Sequence, residues 1–250
     1  MKSFSGSFAY DTDKGLVRQD NEDQACALLN GEGEILLIVC DGMGGQNKGD
    51  YASKFAIDYF VEAFKHKRKY KLVSSDKIWV SRIIKKINSS IYSKGEKDAA
   101  FKGMGTTFLA AIISGEKLLL TNMGDSRAYM ATKDNIKQIS EDQTLVRFLV
   151  STGKISEEEA LVHPDRHVLN NALGIYPSVS LDFQVFKYNG EKILLCTDGL
   201  YNQVSLEDIH AHMFTNERSE QKVNALIKEA EMNGGSDNVG IVLWEADIDD

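Results

Sequence analysis

The segment 35–42 reads Ile35-Leu36-Leu37-Ile38-Val39-Cys40-Asp41-Gly42, and the segment 193–199 reads Ile193-Leu194-Leu195-Cys196-Thr197-Asp198-Gly199. Short apolar runs bounded by turn residues are typical of strands buried on both faces. A third aspartate, Asp237, comes just before another apolar run, 239–244. If the three carboxylates converge, each pair repels by about 4 kcal/mol at about 4 Å and an effective dielectric of about 20, and a bound cation turns that repulsion into attraction. The pattern therefore predicts buried strands that carry a carboxylate metal site.

The alternative for each Asp-Gly pair is a tight hairpin turn, because Asp-Gly is a common turn dipeptide. A hairpin requires a second strand directly after the turn. Instead, Asp41 is followed by the glycine-rich residues 42–49 and then by a helical pattern. Asp198 is followed by Ser205 with Asp208 three residues on, which is the signature of a helix cap. Neither pair returns the chain into a strand, so the metal-site interpretation is favoured.

Composition indicates an ordinary globular chain. With 42% hydrophobic and 26% charged residues, the 250 residues are expected to form one domain spanning 1–250. The apolar stretches are only strand length and the N-terminus lacks the apolar core of a signal peptide, so no membrane association is expected. The net charge of −8 disfavours a nucleic-acid partner. The basic run 65–71 is predicted to cap a helix end and line a solvated loop rather than to bind an acidic partner.

The cysteines indicate a reduced, cytoplasmic protein. The chain contains three, Cys26, Cys40 and Cys196, and the last two fall in predicted buried strands, where cysteine behaves as a small hydrophobic residue. No Cys-x-x-Cys spacing occurs, which disfavours a thiolate zinc site.

Periodicity gives an order of elements. Helices are predicted at 50–66, 76–92, 140–163 and 219–232, and strands at 106–113, 117–122, 127–131, 180–187, 192–197 and 239–245. Two cap candidates lie in the third helical segment, Ser140 with Gln143 and Ser156 with Glu159. Because helices come in pairs and strands in consecutive runs, antiparallel sheets with helices packed outside are favoured over a parallel sheet. The segment 140–175 interrupts the later strands and is predicted to be an inserted helical flap.

Several catalytic classes are excluded by spacing. No cysteine is followed six residues later by arginine, so the phosphate cradle of a cysteine phosphatase is missing. Gly44 and Gly49 have P-loop spacing, but Asp50 follows where lysine is required. The five histidines all lie away from the Asp-Gly pairs, which disfavours a Ser-His-Asp triad and a histidine-ligated zinc site. What remains is all-oxygen ligation, which suits Mg²⁺ or Mn²⁺ and the hydrolysis of phosphate esters.

The N-terminal segment supplies a cation for phosphate recognition. If residues 18–22 form a strand, Arg18 and Glu22 point to the same face. A planar guanidinium binds phosphate through two hydrogen bonds. Taken alone, this segment is typical of an acidic surface loop; together with Asp41, Asp198 and Asp237 it is interpreted as part of the site.

The chain resembles the metal-dependent Ser/Thr protein phosphatases (PPM, or type 2C), and in particular their compact bacterial form. Six motifs carry the resemblance, in family order and across nearly the whole chain: Gly15-x-Val17-Arg18-x-x-Asn21-Glu22-Asp23, Val39-Cys40-Asp41-Gly42-Met43-Gly44-Gly45, Gly103-Met104-Gly105-Thr106-Thr107, Gly124-Asp125-Ser126-Arg127-Ala128-Tyr129, Thr197-Asp198-Gly199-Leu200 and Gly235-Ser236-Asp237-Asn238-Val239.

The resemblance implies an α+β fold, a four-layer α/β/β/α sandwich of two mainly antiparallel sheets flanked by helix pairs, with the metals at one end. It implies two Mn²⁺ or Mg²⁺ ions and a weaker third. Asp41 bridges two ions and the carbonyl of Gly42 helps to bind one of them. Glu22 faces the first ion directly or through water, and Asp198 with Asp237 ligates the second. The remaining implied roles are a third ion held by Asp125 with Asp198, ordered water held by Asp23, and the substrate phosphate gripped by Arg18.

The implied activity is that of a protein-serine/threonine phosphatase, a phosphoric monoester hydrolase in which a metal-bridging water attacks the phosphorus directly. Its partners are phosphorylated proteins and a Ser/Thr protein kinase that it opposes. Two alternatives stay open: a catalytically inactive member that binds phosphoproteins or kinases as a regulator, and a metal-dependent hydrolase of small phosphorylated molecules. Where many members carry other residues, this chain departs from the pattern at Gln46, Asp50, Gln143, Asn171 and Gly240. None of the five is an expected ion ligand, so the departures bear on substrate choice and rate.

Overall fold

The computed structural model describes residues 4–44 and 48–247. Within them, eleven strands pair entirely in antiparallel fashion and form two sheets. The first sheet has the spatial order β1 (Gly6–Asp13), β11 (Val239–Ala246), β10 (Lys192–Cys196), β7 (Arg127–Thr132) and β8 (Asn135–Gln138). The second has the order β2 (Asp23–Leu29), β3 (Ile35–Met43), β5 (Phe108–Ser114), β6 (Lys117–Met123) and β9 (Asp182–Lys187), with β4 (Gly105–Thr106) paired to β3.

Alternation along the strands builds three apolar layers. On β3, Leu36 and Ile38 face one cluster while Leu37 and Val39 face another. The second cluster lies between the two sheets, because it also takes residues such as Val242 from β11. Strands buried on both faces are therefore apolar at nearly every position, as the runs 35–40 and 193–196 predicted.

Helices cover the two outer faces. On the second sheet lie α1 (Gly49–Lys65) and α2 (Val73–Lys97), and on the first lie α5 (Asp198–Tyr201), α6 (Leu206–Met213) and α7 (Ser219–Met232). In α1 the buried residues Ala52, Ala56, Phe60 and Phe64 recur every four positions, which places them in one stripe against the sheet. The predicted four-layer α/β/β/α sandwich is confirmed.

The flap is smaller and less helical than predicted. In place of one helical segment over 140–163, the chain forms α3 (Leu145–Ser151) and α4 (Glu157–Leu161). The cap predicted at Ser140 is wrong: Thr144 caps α3, and the Ser140 hydroxyl accepts a hydrogen bond from the backbone of Ala128 instead. The capping box of Ser156 and Glu159 is confirmed at α4, as is the Ser205 cap of α6.

Two further expectations, both about strand boundaries near the site, need correction. The strand β3 continues through the first Asp-Gly pair to Met43 rather than ending at it. Arg18 and Glu22 do not lie on a strand, because β1 ends at Asp13 and β2 begins at Asp23.

The basic run 65–71 is not wholly solvated. Lys67 is only 3% exposed, and its Nζ lies 2.8 Å from Glu34 Oε2 and 2.7 Å from Asp76 Oδ1. The two acids compensate its buried charge, so this lysine ties the loop after α1 to the start of α2 and to the β2–β3 turn.

Strand ends bring the site residues to one end of the sandwich. Asp23 pairs with Asp41 across β2 and β3, and Asp13 pairs with Val239 across β1 and β11. The end of β10 pairs with Ile241 of β11, so Asp198 follows β10 at the same end at which Asp237 precedes β11. No helix in the described ranges is long and apolar enough to cross a membrane.

Candidate metal centre

A cleft of about 970 Å³ opens at this end of the sandwich. Its wall contains six of the predicted site side chains, Arg18, Glu22, Asp41, Asp125, Asp198 and Asp237, together with Gly42. The flap supplies the facing wall, which includes Arg166, His167 and Asn171. The structure therefore brings together residues that are more than 200 positions apart in the chain.

The backbone of Asp41 is fixed from the neighbouring strand. Its N–H donates to Thr107 Oγ1 at 2.8 Å, and its carbonyl accepts from the Thr107 N–H at 2.8 Å and from Thr106 Oγ1 at 2.9 Å. Burial raises the pKa of the Asp41 carboxyl well above its ordinary range, and the nearby carboxylates, Asp23 first and then Asp198, raise it further. No role was predicted for Thr107, since nothing in its sequence position indicates this pairing.

The carboxyls of Asp198 and Asp125 also have raised pKa values, because both are buried near other acids. Burial, followed by repulsion from Asp237, raises the pKa of Asp198 to about 6. Burial, followed by repulsion from Asp198 and Asp142, raises the pKa of Asp125 to about 7. A bound cation favours the ionised form of each and removes this cost.

Asp125 is held by an aromatic ring and a guanidinium behind it. Tyr201 Oη donates to the Asp125 carbonyl at 3.1 Å, and Arg127 Cζ lies 3.6 Å from the centre of the Tyr201 ring. Arg127 in turn binds both carboxylate oxygens of Asp142, the closest contact being 2.7 Å. The turn that carries Asp125 is thus fixed from the base of the flap.

Asn238 organises the loop that carries Glu22. Its Oδ1 accepts from the Glu22 N–H at 2.9 Å, and its Nδ2 donates to the carbonyls of Lys14 and Asp20, each at 2.9 Å. Glu22 Oε1 accepts from the N–H of Gly49 at 3.0 Å, at the start of α1. The segments 14–22 and 236–238 are therefore one structural unit, although the sequence assigned Asn238 only to a motif and gave it no role.

Gly42 lies where two backbones nearly touch. Its N–H donates to the Glu22 carbonyl at 3.1 Å, and a Cβ at this position would stand 2.4 Å from the carbonyl oxygen of Gly49. Only glycine fits here without a shift of α1, which explains the residue type beside Asp41.

Asp23 lies beneath the cleft rather than on its wall. It is 1% exposed, and its Oδ2 accepts from Thr197 Oγ1 at 2.7 Å, while that hydroxyl accepts from the Gly240 N–H at 2.7 Å. Burial raises the pKa of Asp23 well above its ordinary range. Thr197 is a further supporting residue that sequence reasoning did not single out.

Arg18 forms an ion pair within the acidic cluster. Its Nη2 lies 2.7 Å from Asp237 Oδ2, and its side chain remains 53% exposed at the rim. Although partial burial opposes the charge, the hydrogen bond to Asp237 raises the pKa of Arg18. The guanidinium is therefore the countercharge to the carboxylates in this structure.

The donor set fits hard divalent cations. The ligand candidates on the cleft wall are all oxygen donors, and the pKa values of Asp41, Asp125 and Asp198 are raised first by burial and then by neighbouring carboxylates. In residues 4–44 and 48–247, no three His, Cys, Asp or Glu side chains stand ready as a ligand set. Uncompensated carboxylates repel one another and Asp237 is paired with Arg18, so ion binding has to draw the side chains together.

Four of the five departures from the family pattern have defined places. Asp50 lies in the first turn of α1, and Gly240 packs over Thr197 beneath the cleft. Gln143 and Asn171 are hydrogen-bonded to each other at 2.7 Å. Gln46 and the neighbouring Gly45 lie outside the described residues.

Comparison with known proteins gives consistent likenesses over nearly the whole chain. A family model described as protein phosphatase 2C matches residues 10–230. The serine/threonine phosphatase stp of Listeria monocytogenes (serotype 4b, strain F2365) is 34% identical over 238 residues, which are 95% of this chain and 94% of that protein.

Solved structures agree. The crystal structure of the serine/threonine phosphatase Stp1 from Staphylococcus aureus matches with a TM-score of 0.90 and 33% identity, covering 100% of this chain and 98% of that one. The catalytic domain of the serine/threonine protein phosphatase PstP, solved in complex with two manganese ions, matches with a TM-score of 0.82 and 32% identity, covering 96% of this chain and 97% of that one.

Proposed function

This chain belongs to the protein phosphatase 2C family, and we propose that its chemistry takes place in the carboxylate cleft around Asp41, Asp198 and Asp237. It is a metal-dependent protein phosphatase that hydrolyses phosphoserine and phosphothreonine on proteins, as the sequence predicted. Its cofactors are two Mn²⁺ or Mg²⁺ ions, in keeping with the two manganese ions of the PstP structure. The observation that carries the proposal is the convergence of Asp41, Asp125, Asp198 and Asp237 on the wall of one cleft. Burial first, and neighbouring carboxylates second, raise the pKa values of Asp41, Asp125 and Asp198.

The proposed ligands divide between the ions as the motifs imply. Asp41 would be a ligand of both ions, Glu22 and the Gly42 carbonyl would hold the first, and Asp198 with Asp237 would hold the second. Asp125 with Asp198 would hold a weaker third ion, and the repulsion between these two carboxylates supports that role. When bound, the ions supply an activated water and neutralise charge on the phosphoryl oxygens.

The chain's own residues orient the substrate. Arg18 would bind two phosphoryl oxygens, because its exposed guanidinium lies at the rim of the same cleft. Asp23 acts from beneath and holds ordered water, fixed by the hydroxyl of Thr197.

The proposed biological setting is supported by general properties of the chain: its shared core, its free thiols and its net charge. The phosphatase acts on phosphorylated proteins and opposes a Ser/Thr protein kinase in the cytoplasm, with 1–250 working as one domain. The shared core between the sheets supports the last point, and the buried free thiols of Cys40 and Cys196 suit a reducing compartment. The net charge of −8 supports the absence of a nucleic-acid partner.

Phosphothreonine-peptide hydrolysis with Mn²⁺, with EDTA, and with Asp41→Ala tests the proposal. We expect turnover that needs the ion and is lost in the variant. Metal binding without turnover on any phosphopeptide would instead favour a binding regulator, whose partner capture survives Asp41→Ala. High activity on phosphorylated metabolites with little on peptides would favour a small-molecule phosphatase.

A further inference from the structure

Two of the residues that depart from the family pattern meet at the base of the flap. Gln143 stands just before α3, and Asn171 stands where the flap returns to the sheet. Asn171 Nδ2 donates to Gln143 Oε1 at 2.7 Å. The contact is partly buried and joins residues 28 positions apart, so it closes the flap segment across its two ends.

The two side-chain amides use all their N–H groups. Gln143 Nε2 donates to the Asn122 carbonyl at 3.1 Å and to Asp182 Oδ2 at 3.2 Å, and Asn171 Nδ2 donates also to the Ser180 carbonyl at 3.0 Å. Rotating the Gln143 amide by half a turn would set its oxygen against the acceptors on Asn122 and Asp182. The hydrogen-bond pattern therefore specifies one arrangement of the pair.

The same two positions are also connected to the carboxylate cleft, Gln143 through backbone hydrogen bonds and Asn171 as a lining residue. The Gln143 N–H donates to the carbonyl of Gly124 at 2.8 Å, directly before Asp125, and its own carbonyl accepts from the Asn170 N–H at 3.0 Å. Asn171 itself lines the catalytic cleft. One further backbone bond, from the Leu145 N–H to the Val168 carbonyl at 2.8 Å, joins the two sides of the flap nearby.

Flap residues next to this bond also line the cleft, among them Arg166, His167 and Leu169. On the proposed function of the cleft, a small phosphate ester would contact Arg18 and the carboxylate end, whereas a phosphorylated polypeptide is longer and would extend along the flap residues that line the cleft. The angle of the flap then matters for a protein substrate and much less for a small one.

We propose that Gln143 and Asn171 form an uncharged clasp that fixes the base of the flap and thereby positions the cleft wall for phosphoprotein substrates. The clasp residues are positioning residues, and the inference rests on the proposed function of the cleft. Gln143 and Asn171 thereby influence the binding of a protein substrate, although neither residue holds an ion or the phosphate.

A double-mutant cycle tests the clasp. Gln143→Leu, Asn171→Leu and the double variant are assayed with Mn²⁺ on a phosphothreonine peptide, and wild type and Gln143→Leu also on p-nitrophenyl phosphate. We expect each single variant to raise the peptide KM about three- to tenfold, the worth of one or two hydrogen bonds, and the double variant to be no worse than the more affected single. Gln143→Leu should leave kcat on p-nitrophenyl phosphate within about twofold of wild type.

A second readout needs no ion and no turnover. In metal-free protein, hydrogen exchange at the Leu145 and Asn170 amides should accelerate in both single variants, because these bonds cross the flap base. Arg147→Ala serves as the control, since it removes a flap ion pair with Glu157 whose side chains are 51% and 65% exposed, and it should leave both amides unchanged.

The outcomes separate the clasp from the function of the cleft. An unchanged peptide KM, additive effects in the double variant, or unchanged exchange at both amides would overturn the clasp. Parallel losses of kcat on both substrates in Gln143→Leu would also overturn it, because they would indicate general damage to the site. A wild-type protein that hydrolyses neither substrate would refute the proposed function, and the exchange experiment would still judge the clasp.

Discussion

At the scale of single residues, the site is a set of acids placed where they resist ionisation. Asp41, Asp125 and Asp198 are crowded by protein and by one another, and burial is the largest cause of the raised pKa in each. Arg18 offsets part of the charge through Asp237. The folded protein keeps this unfavourable arrangement because it is the arrangement that a pair of divalent cations stabilises.

Asp125→Asn should stabilise the metal-free protein in a pH-dependent way. The folded pKa of Asp125 is about 7, whereas the unfolded chain has an ordinary value of about 3.9. Below pH ~4 the Asp125 carboxyl is protonated in both the folded and the unfolded protein, so it does not change the free energy of unfolding. As the pH rises towards about 7, the carboxyl ionises first in the unfolded protein, and the free energy of unfolding of wild type falls by up to about 4 kcal/mol.

Asparagine does not titrate, so the Tm of the variant minus that of wild type should grow between pH 4 and 8, by about 2–4 °C for each kcal/mol. Thermal unfolding in EDTA across this range measures the difference. Asp58→Asn, which removes an exposed carboxyl paired with Lys54 on α1, is the control, and it should change the stability by no more than the ~0–1 kcal/mol of a surface ion pair. A flat difference for Asp125→Asn would contradict the account of this carboxyl.

Arg18→Ala should separate substrate binding from ion binding. Loss of charge-assisted hydrogen bonds to phosphate should lower kcat/KM for a phosphothreonine peptide by about ten- to a hundredfold. Mn²⁺ affinity, measured by calorimetry, should stay equal or increase, because the variant removes the cation that competes for Asp237. A clear fall in Mn²⁺ affinity would argue against Arg18 as the phosphate-binding group.

The sequence indicated which acids meet on the cleft wall, and it could not indicate which residues support them. Apolar runs ending in Asp-Gly identified Asp41 and Asp198, and the structure places both on the cleft wall. Thr107 and Thr197 support the site through hydroxyl bonds that depend on strand register, which a single sequence does not encode locally. The burial of Asp23 beneath the wall is a consequence of the same register.

At the scale of elements, periodicity succeeded where a helix or strand is long and packs on a sheet. The helix predicted at 219–232 is α7 without change, and the one predicted at 50–66 differs from α1 by one residue at each end. The prediction of a helical segment over 140–163 was wrong because α3 and α4 have only seven and five residues. Helices of that length are too short for an apolar stripe to repeat. The buried ion pairs of Lys67 were hidden because its partner Glu34 is remote in sequence.

Gly199→Ala tests the packing of α5 against β11. A Cβ at Gly199 would stand 1.9 Å from the carbonyl oxygen of Asn238, so the start of α5 must move away from the segment that carries Asp237. We expect a loss of about 1–3 kcal/mol in the free energy of unfolding by urea, together with weaker Mn²⁺ binding.

Gly31→Ala is the matched control for this substitution. Gly31 lies in the turn between β2 and β3, and a Cβ there would meet no atom within 4 Å. Its free energy of unfolding should stay within about 0.5 kcal/mol of wild type. If both variants behaved alike, the close approach at Gly199 would not be what places Asp198 beside Asp237.

At the scale of the whole molecule, two sheets sharing one apolar layer hold their strand ends in a fixed relation. The cleft takes Asp41 from the second sheet, and it takes Asp198 and Asp237 from the same end of two neighbouring strands of the first sheet. Neither sheet contains the site alone. The four-layer order could be predicted from the family resemblance and from the order of the elements. The meeting of the strand ends that carry Asp41, Asp198 and Asp237 could not, because it depends on the registers in which the strands pair.

Whether this cleft is a two-ion hydrolytic site is decided by measuring ion binding and catalysis on the same samples. Wild type, Asp198→Asn and the surface control Asp58→Asn are titrated with Mn²⁺ by calorimetry and then assayed on a phosphothreonine peptide. We expect wild type and the control to bind two ions and to show metal-dependent turnover, and Asp198→Asn to lose both an ion and turnover. Full turnover in Asp198→Asn, or wild-type turnover that persists in EDTA, would contradict the two-ion hydrolytic site.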